Sequence, residues 1–164
     1  MSRTLLLLRH AKSSWDDPKL DDHDRPLNKR GKSEAPRIGK LLVDEDLIPD
    51  LILSSSAKRA RRTAEKVADE CCYRGETLTT GELYMAGPTQ FRHVLASAGG
   101  DHHRVLVVAH NPGIEEFFEE LVRQYEPFTT AALAQIELSI ERWDSLDHSS
   151  TGRLINMWQP RELA

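Results

Sequence analysis

Three apolar runs, each too short for a helix and each followed at once by polar residues, constrain this chain more than any other feature. They are Thr4–Leu8, Leu51–Leu53 and Val105–Val108. Short continuous runs of Leu, Ile and Val read as strands buried on both faces, the habit of a parallel sheet covered by helices. Helical patterns fill the intervals. Asn28 caps a first helix with Ala35, Ile38, Leu41 and Leu42 on its apolar face, and Pro36 inside it is expected to kink or split it. Ser56 caps a second, whose stripe is Ala57, Ala60, Ala64, Val67, Ala68 and Cys71. Pro88 opens a third carrying Phe91, Val94, Leu95 and Ala98, and Gly99-Gly100 ends it. Asn111 caps a fourth, with Pro112 at its first position and Ile114, Phe117, Phe118, Leu121 and Val122 along one face. Its Glu115-Glu116 and Glu119-Glu120 pairs then fall on a solvated face. Glu76–Thr80 makes a minor strand, and Leu133–Ile140 and Arg153–Trp158 make two more, joined by the polar Asp144–Gly152 region. Strands alternating with amphipathic helices define an α/β chain with a mostly parallel sheet, which the last strands can close in mixed orientation.

Composition narrows the function classes. A chain of 164 residues with no linker or internal repeat predicts one domain. With 39% hydrophobic and 29% charged residues it is neither disordered nor a coiled coil, and a net charge of −4 argues against a nucleic-acid binder. The leading run Leu5–Leu8 is cut off by Arg9-His10, too short for a signal peptide or a membrane helix, so the expectation is a cytoplasmic protein with no membrane partner. Cys71 and Cys72 are adjacent, a strained geometry for a disulfide, and are expected to be reduced at a helix end. Neither a His-Glu-x-x-His nor a Cys-x-x-Cys pair occurs, and His102-His103 reads as a solvated loop pair, so no metal is expected. The glycine-rich nucleotide loops are also missing.

Chemistry-bearing residues follow the three strands: Arg9-His10 the first, Ser54-Ser55-Ser56 and Arg59 the second, and His110-Asn111 the third. Ligands of open α/β sheets bind beyond the carboxyl ends of the strands, so parallel neighbours would bring Arg9, His10, Arg59 and His110 to one rim. Arg59 sits in the first turn of its helix, where the dipole disfavours a cation and an anion would relieve the conflict. Two guanidiniums and helix N-termini favour phosphate.

These residues resemble a known family. Leu8-Arg9-His10-Ala11 resembles the Arg-His-Gly signature of the histidine phosphatase (phosphoglycerate mutase-like) superfamily, with Ala11 in place of the glycine. Asp24-Arg25-Pro26-Leu27-Asn28-Lys29-Arg30-Gly31 resembles the stretch that opens the first helix of its short members. Ser54 to Ala64 resembles its serine-rich turn and second-arginine helix, and Val107-Val108-Ala109-His110-Asn111-Pro112 its second-histidine motif. The short length without an inserted cap is closest to the SixA-type phosphohistidine phosphatases.

The resemblance implies a three-layer α/β/α, phosphoglycerate mutase-like fold, with residues 1–164 forming a single histidine phosphatase domain. It implies a metal-independent, cofactor-free phosphatase in which His10 is the nucleophile and becomes a phosphohistidine, while Arg9, Arg59 and His110 hold the equatorial oxygens. His10 must then present a neutral attacking nitrogen, its other ring nitrogen donating to a backbone carbonyl or similar acceptor. Larger relatives carry a glutamate after the second helix, which makes Glu82 the candidate proton donor, with Asp16 or Asp17 as alternatives. Ser13, Ser14 and Asn111 are candidate substrate-binding groups, and Trp15 either stacks at the pocket mouth or packs under the loop. The implied partner is a phosphorylated protein carrying phosphohistidine. The alternatives are a small phosphate ester as substrate, or a non-catalytic phosphate-binding module.

Overall fold

In the computed structural model, which describes residues 2–160, β1 (Arg3–Arg9) lies at the heart of a six-stranded sheet. The other strands are β2 (Leu51–Ser55), β3 (Thr77–Thr80), β4 (Arg104–Ala109), β5 (Leu133–Leu138) and β6 (Gly152–Trp158), in the order β3-β2-β4-β1-β5-β6. The first four in that order run parallel, whereas β5 is antiparallel to β1 and β6 to β5. The sheet is thus mostly parallel with a mixed edge.

Strand parity sorts the core into two layers. Leu6 and Leu8 of β1, Ile52 of β2 and Leu106 and Val108 of β4 face one side, against α1 (Lys29–Asp44) and α2 (Lys58–Glu70) through Ile38, Leu42, Ala60, Ala64 and Val67. Leu5, Leu7, Leu51, Leu53, Val105 and Val107 face the other, against α3 (Pro88–Ala98) and α4 (Gly113–Val122) through Phe91, Leu95, Phe117, Phe118 and Leu121. Leu5 to Leu8 are all fully buried, as a run without alternation requires. Helices on both faces give the three-layer arrangement.

The helices depart from expectation at three points. Asn28 does cap α1, its Oδ1 accepting the Gly31 N–H at 2.9 Å, but Pro36 does not split the helix. The carbonyl left without a donor is that of exposed Lys32, where water can reach it, and packing on α2 holds the helix together. That packing is close: a Cβ on Gly39 would lie 2.6 Å from Glu70 Cβ and 2.7 Å from the Val67 carbonyl oxygen. Ser56 is not the cap of α2. Ala57 holds that position, its N–H donating to Ser55 Oγ at 3.2 Å, while the Ser56 hydroxyl lies 2.8 Å from His23 Nε2. Likewise Pro112 rather than Asn111 precedes α4, because the Asn111 amide is engaged elsewhere. Cys71 is buried at the end of α2 and Cys72 exposed, both as free thiols.

Candidate active site

The ladder between β1 and β4 ends on the pair Arg9 and Ala109, and the next residue on each strand is a histidine. The His10 N–H donates to the Ala109 carbonyl at 3.0 Å, which carries the pairing one step further and sets the two rings side by side, with centroids 5.0 Å apart. His10 Nδ1 lies 2.7 Å from the Ala11 carbonyl oxygen. A carbonyl only accepts, so Nδ1 carries the proton and Nε2 keeps its lone pair. Burial, together with the neighbouring His110 and the two guanidiniums, lowers the His10 pKa to about 3, although the Ala11 bond works upward. The ring is therefore neutral at physiological pH.

His110 receives similar treatment. Its Nε2 lies 2.7 Å from Ser55 Oγ, the oxygen that also accepts the Ala57 N–H. Its Nδ1 is buried and without a partner among the described residues. Burial and Arg59 bring its pKa to about 3 as well. Two neutral imidazoles thus lie within the electrostatic reach of two guanidiniums.

Arg9 and Arg59 are fixed by different devices. Arg9 Nη1 donates to the Phe128 carbonyl at 2.9 Å, and Asn111 Nδ2 donates to the same oxygen at 3.0 Å. Glu115 completes this anchor: its Oε2 accepts from Asn111 Nδ2 and from the Phe128 N–H, each at 2.8 Å. Glu115 was expected on the solvated face of α4; it belongs instead to the scaffold of the site. Arg59, buried in the first turn of α2, donates through Nη1 to the Asp22 carbonyl at 2.6 Å and through Nη2 to Asp22 Oδ2 at 2.9 Å. The anion that its position at a helix N-terminus demands is partly supplied by the chain itself. The Nε atoms of both arginines are buried without partners among the described residues. Thr63 links α2 to the residue after His10, accepting the Ala11 N–H at 3.0 Å and donating to the Arg59 carbonyl at 2.7 Å.

Arg9, His10, Arg59 and His110 therefore come together, and Asn111 joins them through the carbonyl that anchors Arg9; the remaining candidates have other partners or none. Ser13 is buried, with its hydroxyl accepting from Arg25 Nη1 at 2.7 Å. Ser14 caps the Asp16 N–H, and Asp16 and Asp17 are exposed. Trp15 is 72% exposed and stacks on the Arg25 guanidinium, 3.5 Å from its carbon to the ring centroid, so it does not pack beneath the loop. Glu82 is exposed and lines a hollow with Thr89, Gln90 and His93; its carboxylate bonds to no described residue. A second hollow of about 680 Å³ is lined by Asp22, Arg59, Tyr84, His110, Asn111 and Glu116, with residues 85–87 and 112–113 completing its wall. Asp22, Tyr84, Thr63 and Phe128 were not singled out from the sequence, and Ser55 was named there only as part of the serine run. Asp22 lay hidden among five aspartates between Lys12 and Arg25.

Comparison with known proteins agrees with this geometry. The family model of the histidine phosphatase superfamily (branch 1) matches residues 5–83. The SixA protein of Agrobacterium tumefaciens, assigned as a phosphohistidine phosphatase, superposes with a TM-score of 0.82 at 30% identity, covering 96% of this chain and 98% of that one. That of Nakamurella multipartitia gives a TM-score of 0.83 at 27% identity, covering 98% and 97%. Curated sequence relatives include a 2,3-bisphosphoglycerate-dependent phosphoglycerate mutase of an Arthrobacter species, 40% identical over 72 residues, 43% of this chain. The match spans less than a third of that protein's length, 29%, as it does for the chloroplastic Arabidopsis thaliana relative, 31%. With the motif order, the strand order and near-complete superposition in agreement, the chain belongs to the histidine phosphatase superfamily.

Proposed function

We propose that the protein is a phosphatase that carries the phosphoryl group on His10 and removes it from phosphohistidine in a protein. The observation that carries this reading is the state of the His10 ring. Nδ1 is held as a donor by the Ala11 carbonyl, and a pKa of about 3 leaves Nε2 an unprotonated nucleophile at neutral pH. Nε2 attacks phosphorus opposite the leaving group, the bond to the leaving nitrogen breaks, and its electron pair departs with a ring already protonated on its other nitrogen, which leaves as neutral imidazole. Arg9, Arg59 and His110 meet the equatorial oxygens as charge redistributes. Water then attacks phosphorus from the vacated side, orthophosphate leaves, and Nε2 regains its lone pair. Two guanidiniums supply the positive charge that the transfer needs, so the proposal includes no metal.

A protein substrate is supported by the open rim. Met85, 84% exposed, is part of the wall of the larger hollow, and Trp15 stands in solvent beyond Arg25. Exposed apolar side chains beside a polar site suit a macromolecular surface. No helix among the described residues is long and apolar enough to cross a membrane, and the cytoplasm is the compartment this reading assigns. The test is rapid-quench labelling with radioactive phosphohistidine protein and an aryl phosphate, in EDTA, for wild type and His10→Ala. The expected result is an acid-labile, alkali-stable phosphoenzyme in wild type alone, formed faster from phosphohistidine. Turnover that survives His10→Ala refutes the mechanism; faster transfer from the aryl phosphate refutes the substrate.

A further inference from the structure

Asp22 is the most heavily bonded side chain at the site, and the mechanism above does not use it. Its Oδ1 accepts from Arg25 Nε at 3.1 Å and Nη2 at 3.0 Å, and its Oδ2 from Arg59 Nη2 at 2.9 Å and the Tyr84 hydroxyl at 2.7 Å. Partial burial works to raise its pKa, but the bonds from Tyr84, Arg59 and Arg25 outweigh it and hold the carboxyl well below the usual carboxylate range. Asp22 is thus a fixed anion and has no proton to give a leaving group.

Its position matters because of what lines the hollow beside it. The charged side chains there are Asp22, Glu116 and Arg59; His110 is neutral. A bound phosphoryl group claims the Arg59 guanidinium, and the space left for the leaving group is then bordered by two carboxylates. A leaving group bearing N–H finds acceptors there. One bearing its own carboxylate or phosphate meets like charge at short range.

We propose that Asp22 determines the substrate class of this site: its carboxylate, with Glu116 as second anion, accepts the ring N–H of an imidazole leaving group and turns away esters whose leaving group is anionic. This rests on the phosphohistidine reading and deepens it. Asp22 also competes with phosphate, holding Arg59 until an incoming phosphoryl group replaces it.

The test compares kcat/KM for a phosphohistidine peptide and for 3-phosphoglycerate in wild type, Asp22→Asn, Glu116→Gln and Tyr84→Phe, with inhibition by inorganic phosphate as a second readout. Asp22→Asn is expected to lower the phosphohistidine-to-phosphoglycerate ratio about tenfold or more and to tighten phosphate inhibition several-fold, since Arg59 loses its charged competitor. Glu116→Gln shifts the ratio the same way by less, and Tyr84→Phe, which changes no charge, leaves it near the wild-type value. A residue that merely positioned Arg59 would on removal weaken phosphate inhibition and slow both donors equally; that result, or an unchanged ratio, overturns the proposal. If the wild type fails to turn over phosphohistidine, the parent reading falls and this one with it, an outcome visible before any variant is made.

Discussion

Burying two histidines as neutral rings side by side has a thermodynamic consequence that can be measured without any substrate. Both have folded pKa values near 3, against about 6.5 in an unfolded chain. Between those values the unfolded state binds protons that the folded state refuses, so stability falls as pH drops below about 6.5 and the loss levels off near the folded value. Between about pH 7 and about pH 5 each ring contributes a loss of about 2 kcal/mol, and the pair about 4 kcal/mol, a large part of the margin of a single domain. Urea unfolding followed by tryptophan fluorescence at several pH values gives this slope directly. Trp143, fully buried against Gly99, is a suitable reporter. His10→Gln and His110→Gln should each flatten the pH dependence by about half, and the double variant should remove most of it, whatever the variants do to stability at neutral pH. Carboxylates titrating at the acid end contribute equally to all four proteins and cancel in the comparison. An identical slope in all four proteins would refute the inference that these rings are held neutral.

Two further outcomes follow from contacts around the site. Thr63→Val keeps the side-chain shape but leaves the buried Ala11 N–H without its acceptor, and should cost about 1–3 kcal/mol and slow phosphoenzyme formation, because the Ala11 carbonyl orients His10; a change in the urea midpoint with unaltered labelling would separate the two roles. At Gly113, where α4 begins, an added Cβ would sit 1.9 Å from the Ala86 carbonyl oxygen, so Gly113→Ala must push the 84–87 segment away from the hollow. A loss of about 1–3 kcal/mol and a raised KM are expected, and a variant with wild-type melting and kinetics would refute that account.

The fold was legible where the sequence pattern is local. Leu5–Leu8 had to be a strand covered on both faces, and the stripe from Ala60 to Val67 had to face a sheet. What escaped were choices among near-equal local partners. Ser56 and Asn111 are good capping residues by type, but each has a tertiary partner, His23 for the first and Phe128 with Glu115 for the second. Arg9, His10, Arg59 and His110 were found because each follows a buried strand, and strand ends converge. Asp22 was missed for the converse reason. It lies in an irregular loop, where no periodicity says which of several aspartates turns inward, and only the tertiary approach of Arg59 and Tyr84 selects it.

The register of β1 against β4 divides the chain into parts that tolerate change unequally. Because both histidines stand one residue beyond a ladder pair, their separation is set by backbone pairing. One residue inserted in either strand would displace a ring by about 3.3 Å and turn it to the opposite face of the sheet. The segments that shape the space for the leaving group, 12–28 and 84–87, lie outside the strands and can lengthen or exchange side chains without disturbing that pairing. In such a molecule reaction chemistry is inherited with the sheet, while substrate preference drifts in the loops. A chain of this kind would be expected to acquire new substrates far more readily than a new reaction.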